Sequence, residues 1–264
     1  MLSVALPLVP GRLPPAAVGP FLNGLVPEGE ARTVLEARYG VRRGDLRGLL
    51  AVLDAPVLAL SRYDRVAGPD GVTRIHQEDV CQALAVDIGP LGAGKYEANG
   101  GPSLEQVADL LDVHNGNADQ TLVLAAAMVL TVAVGNADAH GKNLSLLHPP
   151  DGPLRLAPLY DVVSTVQYPQ IRTPAGVRQV SSTLAMRVNG RNDVHEVTVA
   201  DLRAEARSWH RGPGLDERID SVLDALPAAV SAAADETPEA PGVFSERIAA
   251  RVARLREGRS AGGE

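Results

Sequence analysis

Three side chains in residues 131–161 have the types and the order that phosphoryl transfer requires: Asp138, Asn143 and Asp161. Asn143 follows Asp138 by five positions, and Asp161 follows Asn143 by eighteen. A carboxylate can orient a hydroxyl and accept its proton. An Asn and a second Asp supply the hard oxygen ligands that magnesium takes. A catalytic-loop Asp, an Asn five positions later and a metal-binding Asp opening the next segment is the order of a phosphotransferase site. His140 makes the loop Asp-x-His-x-x-Asn, and Tyr160-Asp161 follows the apolar stretch 156–159. Two other readings stay open on these residues alone. Asp and Asn favour turns by bonding nearby backbone, so 135–142 could be a capped turn. His140, Asp138 and His148 could hold a metal by themselves, although His148, followed by two prolines, reads as a surface residue.

A chain of 264 residues must position this stretch, enough for one large or two small domains. Aromatics make up only 3% of it, so the core has to be built from Ala, Val and Leu. A net charge of −7 argues against gripping nucleic acid through the overall field. The single cysteine, Cys81, excludes an intrachain disulfide and suits a reducing, cytoplasmic setting. Its place in a helical pattern reads as a buried core thiol. The apolar N-terminal run is short and has no basic residue ahead of it, which makes a poor signal peptide. The longest apolar run, 122–134, has thirteen residues, too few to span a bilayer comfortably, so no membrane association is expected.

Along the chain, 2–8 reads as a strand or extended arm, and 14–25, 28–39 and 46–53 as helices. Residues 57–62 read as a buried strand, followed by a hairpin-type turn at Gly68-Pro69-Asp70-Gly71. A helix is expected within 74–85, beginning near His76. Ser103 and Gln106 form a capping-box pair ahead of a helix at 104–113. Residues 119–134 are the strongest helix, apolar nearly all round and therefore buried. Residues 162–185 read as irregular with strand-like pieces, and 201–210, 215–234 and 242–258 as three helices.

The segment 89–96 matches a phosphate-loop pattern, Gly89-x-x-x-x-Gly94-Lys95, up to its last position. There Tyr96 replaces the hydroxyl residue that would bind magnesium. Pro90 lacks an N–H, and a helix rather than a strand is expected ahead, so the segment reads as a flexible loop. The lysine census bears on the same question. Lys95 and Lys142 are the only lysines, and neither falls on an expected strand. A protein-kinase nucleotide site carries a strand lysine that touches the phosphates.

With these residues laid out, the chain resembles the HipA family, bacterial serine/threonine protein kinase toxins of type II toxin–antitoxin pairs. Leu2-Ser3-Val4-Ala5-Leu6-Pro7-Leu8 and the stretch from Phe21 through Gly24 to Gly29 look like the family's N-terminal subdomain. Leu60-Ser61-Arg62-Tyr63-Asp64-Arg65 looks like its "ERFDR" element, and Gln77-Glu78-Asp79-Val80-Cys81-Gln82 its "QEDxCQ". Lys95-Tyr96-Glu97 with Gly100-Gly101-Pro102 is a further match. Asp138 to Asn143 and Leu156 to Asp161 match the catalytic and metal-binding loops. One departure is as specific. Between about Leu53 and Val57 the family has a long segment with the phosphate-binding loop, the ATP lysine and the first helix of the kinase fold, and here that segment is absent.

The resemblance implies an α+β, mainly helical fold: a protein-kinase-like C-lobe with a partial N-lobe and a short N-terminal subdomain, divided as 1–53 and 54–264. It implies ATP and Mg2+ as cofactors. Asp138 would be the catalytic base, and Asn143 and Asp161 the magnesium ligands. His140, Lys142 and Tyr160 would neighbour the nucleotide, and Ser61, Arg62 and Tyr63 the hinge strand that meets adenine, with Ser61 replacing an acidic residue. It further implies a HipB-like helix-turn-helix antitoxin as partner, DNA contacted only through it, and a protein substrate such as glutamyl-tRNA synthetase. The missing segment supports an alternative: a non-catalytic module that binds an antitoxin partner. The Asp-x-His-x-x-Asn loop also resembles small-molecule phosphotransferases, but the matches outside it do not.

Overall fold

A computed structural model describes residues 63–68, 71–115, 119–150, 152–168, 170–173, 176–209, 213–236 and 242–263. The arm, helices and strand expected before residue 63, with Ser61 and Arg62, lie outside the described residues. The first described elements are β1 (Arg65–Gly68) and β2 (Gly71–Arg74), antiparallel in register Arg65↔Arg74 to Gly68↔Gly71. The two strands pair up to Gly68 and Gly71, the glycines at either end of the Gly-Pro-Asp-Gly sequence.

The helix expected from His76 is not formed there. His76–Asp79 is a strand, β3, and the helix α1 occupies only Val80–Ala83. Tertiary pairing overrides the local pattern, because β3 pairs antiparallel with β4 (Ser145–His148), which in turn pairs with β5 (Arg155–Leu156). Asp79 ends the strand and starts the helix. Its carboxylate accepts from the Gln82 backbone, and the Gln82 side chain accepts from the Asp79 N–H, each at 2.9 Å.

The stretch 89–96 is a folded connection rather than a flexible loop. It contains a 3-10 turn at Ala93–Lys95, followed by another at Glu97–Asn99. A Cβ on Gly94 would lie 2.3 Å from the Asp87 carbonyl oxygen, and one on Gly101 2.6 Å from that of Gly94. Only glycine allows backbone to approach backbone this closely. The N–H of Gly94 donates to Ile88 at 3.0 Å and that of Gly92 to Gly89 at 3.1 Å, so neither is aimed at a phosphate.

Helix α2 (Leu104–Asn115) carries the expected capping box. Ser103 N–H donates to Gln106 Oε1 at 3.0 Å, and Gln106 N–H donates to Ser103 Oγ at 3.2 Å. Helix α3 (Asp119–Val134) is the buried axis of the structure, with Leu124, Ala125, Val129, Val132 and Ala133 fully covered. The core around it includes Leu111, Leu202, Trp209, Ile219 and Leu255. The segment after β5 contains the hairpin β6 (Gln170–Thr173) and β7 (Gly176–Gln179), then β8 (Thr183–Val188) paired with β9 (Arg191–Asp193). Three helices close the chain: α4 (Val199–Ser208), α5 (Leu215–Glu236) and α6 (Gly242–Arg256). The fold is α+β and mainly helical, as the sequence implies. Among the described residues no helix is long and apolar enough to cross a membrane.

Candidate active site

The site is built where α3 ends. Gly135 adopts φ 73°, a left-handed value that glycine reaches at no steric cost. The Asn136 N–H donates back to Thr131 at 2.9 Å and the Gly135 N–H to Val132 at 3.2 Å, a helix-terminating pair that turns the chain sharply. The loop that follows is held from three sides. Thr165 Oγ1 donates to the Gly135 carbonyl at 3.1 Å and accepts from the Ala137 N–H at 2.9 Å. The Ala185 N–H of β8 donates to the Ala137 carbonyl at 2.9 Å. Beneath them, the Arg251 guanidinium of α6 donates to the carbonyls of Val132 at 2.9 Å and Ala133 at 3.3 Å.

Asp138 emerges from this frame with its side chain exposed. Its carboxylate accepts one bond, from the Tyr96 hydroxyl at 2.9 Å. Burial, and then the bond to Asp138, push the Tyr96 phenol up to about 12, so the hydroxyl is protonated and donating at neutral pH. Asn143, five residues on, is buried and its Nδ2 donates to the Asp138 carbonyl at 3.1 Å. The spacing thus closes a small ring: the Asn amide nitrogen fixes the loop, and the amide oxygen is left as a potential ligand.

His140 is buried between them, with the Tyr96 ring edge-on at 5.5 Å and its Nδ1 without a partner. Burial, followed by the Lys95 charge, lowers the His140 pKa, while Asp138 and Asp161 pull it upward. Both carboxylates therefore act on the same imidazole. Asp161 is exposed and sits at φ 54°, a left-handed conformation that Asp tolerates better than most side chains. Tyr160 beside it donates to the Lys142 carbonyl at 2.6 Å, lies 2.6 Å from Ser145 Oγ, and is raised to about 12 chiefly by burial. It ties the Asp161 segment to the Asp138 loop.

Of the residues singled out from sequence, Asp138, His140, Lys142, Asn143, Tyr160 and Asp161 converge on one locality. Tyr63 packs against Ile75, Leu147 and Ala157 at the edge of the sheet, and is near enough to influence Tyr160. Lys142 is committed elsewhere: its Nζ pairs with Asp79 at 2.8 Å, and that bond raises its pKa. A metal set of Asp138, His140 and His148 is not assembled, since His148 bonds Glu78 on the far end of the sheet. Asn143 and Asp161 offer only oxygen donors, which fits magnesium and not a soft ion. Sequence reasoning missed Tyr96 as an Asp138 partner and Asp79 as the Lys142 partner. Both stood inside stretches already noted, but no local pattern links positions 42 and 63 residues apart.

Comparison with known proteins supplies an independent line. A family model for the HipA-like C-terminal domain matches residues 35–233, and one for the HipA N-terminal domain matches residues 1–55. Y4mE of Sinorhizobium fredii (strain NBRC 101917 / NGR234), provisionally named a kinase, is 38% identical over 187 residues, 70% of this chain and 41% of the relative. The serine/threonine-protein kinase toxin HipA of Shewanella oneidensis is 33% identical over 128 residues, 42% of this chain and 28% of the relative. A solved complex of HipA, HipB and operator DNA from S. oneidensis MR-1 is similar in fold, with a TM-score of 0.57 at 23% identity, covering 75% of this chain and 49% of that one. The chain thus spans less than half the length of these relatives.

Proposed function

The chain belongs to the HipA family, and from that premise we propose that its site performs ATP-dependent phosphoryl transfer to a serine or threonine hydroxyl of a protein. The observation that carries the reading is the Asp138–Asn143 ring: an exposed carboxylate on a loop fixed by the Asn that would also bind metal. Magnesium-bound ATP would supply the phosphoryl group, with Asn143 and Asp161 as the residues that hold the ion. Asp138 orients the incoming hydroxyl and takes its proton. The Tyr96 hydroxyl now on Asp138 would give way to that substrate hydroxyl. His140, Lys142 and Tyr160 flank the nucleotide, and the hinge at Ser61, Arg62 and Tyr63 meets its base. The division into 1–53 and 54–264, a cytoplasmic setting and a HipB-like antitoxin through which DNA is reached belong to the same proposal.

One observation favours a second reading, a non-catalytic module that engages the antitoxin. The two lysines of the chain are Lys95 and Lys142, neither lies on a strand, and Lys142 is paired with Asp79. Loss of a preorganised cation on the transferring phosphate costs several kcal/mol of transition-state stabilisation. Thermal unfolding with millimolar ATP and magnesium separates the two. A rise in Tm on adding both, with transfer of labelled phosphate to protein that Asp138→Asn abolishes, supports the kinase. No shift with ATP and magnesium rejects it, and transfer that survives in Asp138→Asn rejects Asp138 as the base.

A further inference from the structure

At the end of the β3–β4–β5 sheet away from Asp79 lies a second cluster that phosphoryl transfer does not use. His76 and Glu78 are two residues apart on β3 and so project from the same face. His148 on β4 is the direct cross-strand partner of His76 and stands diagonally from Glu78. One donor atom from each of the three lies within 4.8 Å of the others. His148 Nε2 and Glu78 Oε1 are already 2.7 Å apart, and the two imidazole rings are 5.0 Å apart, centre to centre. His76 is exposed and the other two are half-buried, so an ion can reach them from solvent.

We propose that His76, Glu78 and His148 form a binding site for a divalent transition-metal ion, with zinc as the ion it fits best. Two imidazoles and one carboxylate are the donor set of three-ligand zinc sites that keep a fourth position for water. Imidazole excludes magnesium and calcium as the preferred occupants. Ligand atoms about 2.1 Å from a tetrahedral zinc are about 3.4 Å apart, so the site closes by side-chain rotations of about 1 Å, without moving the strands. The β ladder fixes the positions of all three Cα atoms, which limits the ordering that binding has to impose. The ion would join the start of β3 to the end of β4, two strands whose opposite ends carry Asp79 and, just before Ser145, Asn143. This inference stands apart from the kinase reading, since none of the three residues takes part in it.

The test uses the full chain stripped of metal, titrated with zinc in competition with a chromophoric chelator. One equivalent should bind, and Tm should rise by on the order of 5 °C at a hundredfold excess over Kd. Removing a residue that merely supports a ligand typically costs 10–100-fold in affinity, so His76→Gln and His148→Gln should each cost at least about 100-fold. Asp138→Asn should bind zinc as the parent does. Cobalt(II) should give visible absorption of a tetrahedral complex, lost in His76→Gln. The exposed His76 is the deciding position, because its replacement leaves the buried core untouched. Failure of the parent chain to compete for micromolar zinc overturns the proposal, as does unchanged affinity in His76→Gln.

Discussion

Replacing Arg251 with Met tests how the catalytic loop is held. Arg251 is 3% exposed, and its guanidinium donates to the carbonyls of Val132, Ala133 and Val194 at 2.9, 3.3 and 3.1 Å. Its fourth contact is His195 Nδ1 at 3.2 Å. Burial holds its pKa down at about 10, against an ordinary 12.5, a penalty on the charge of about 3 kcal/mol. Hydrogen bonds from a charged donor contribute about 1.5–3 kcal/mol each, so three to carbonyls give about 5–9 kcal/mol. Met keeps much of the apolar stem and removes both the bonds and the burial penalty. The net loss of stability is then about 2–6 kcal/mol, a fall in Tm of about 4–24 °C for a domain of this size. Urea denaturation of the parent and Arg251→Met, read by far-ultraviolet circular dichroism, measures it. A loss below about 1 kcal/mol would show that the three carbonyls find other partners and that α6 does not anchor the end of α3. Arg251→Lys should fall in between, since one ammonium cannot reach all three acceptors in the planar geometry of the guanidinium.

Three further outcomes follow from local geometry. Ser103→Ala should destabilise the chain by about 1 kcal/mol in the same denaturation assay, because it removes half of the capping box on α2. Gly141→Ala places a Cβ 2.7 Å from Pro102 Cγ and 2.8 Å from Cys81 Sγ, so it should cost about 1–3 kcal/mol by overpacking, and a neutral result would mean the loop shifts freely. The pKa values of His140 and His195 are both lowered by burial, so the unfolded chain takes up protons that the folded chain refuses. Stability should be level above about pH 7.5 and fall as the pH drops through about 6.5 towards the lower folded values, which urea midpoints at fixed salt would show.

Elements with a strong local signal were legible in the sequence. The apolar run of α3 and the Ser103–Gln106 pair determine their structure from their own side chains, and α3 begins and ends where its pattern says. The start of β3 was not legible, because His76–Asp79 carries no strand-like alternation and is a strand only through its ladder with β4, some seventy residues away. The segment 89–96, which holds Gly94, reads in the sequence as a flexible loop, with Gly101 just beyond it. The two glycines are needed instead because backbone packs on backbone there, a contact that is visible only in three dimensions. At the site, the spacing of Asp138 and Asn143 was readable because both lie on one turn. The Tyr96 and Lys142 contacts were hidden because they join segments that the fold brings together.

The supports of the Asp138 loop explain how such a site can persist on a chain that lacks a recognisable phosphate loop. The described bonds that fix the loop come from Tyr160, from residues 165 and 166, from β8 and α6, from Asp79, Lys95 and Tyr96 ahead of α3, and from within the loop itself. All of these lie between residues 79 and 251, so the described supports of Asp138 and Asn143 fall in the part of the chain that follows the departure near residue 53. Nucleotide affinity is a different matter, since it depends on groups that reach the phosphates from the other side. The two properties are therefore separable. A chain can keep the base and the metal ligands in order while binding ATP weakly, and an observed loss of activity would then lie in KM before it lay in the placement of Asp138.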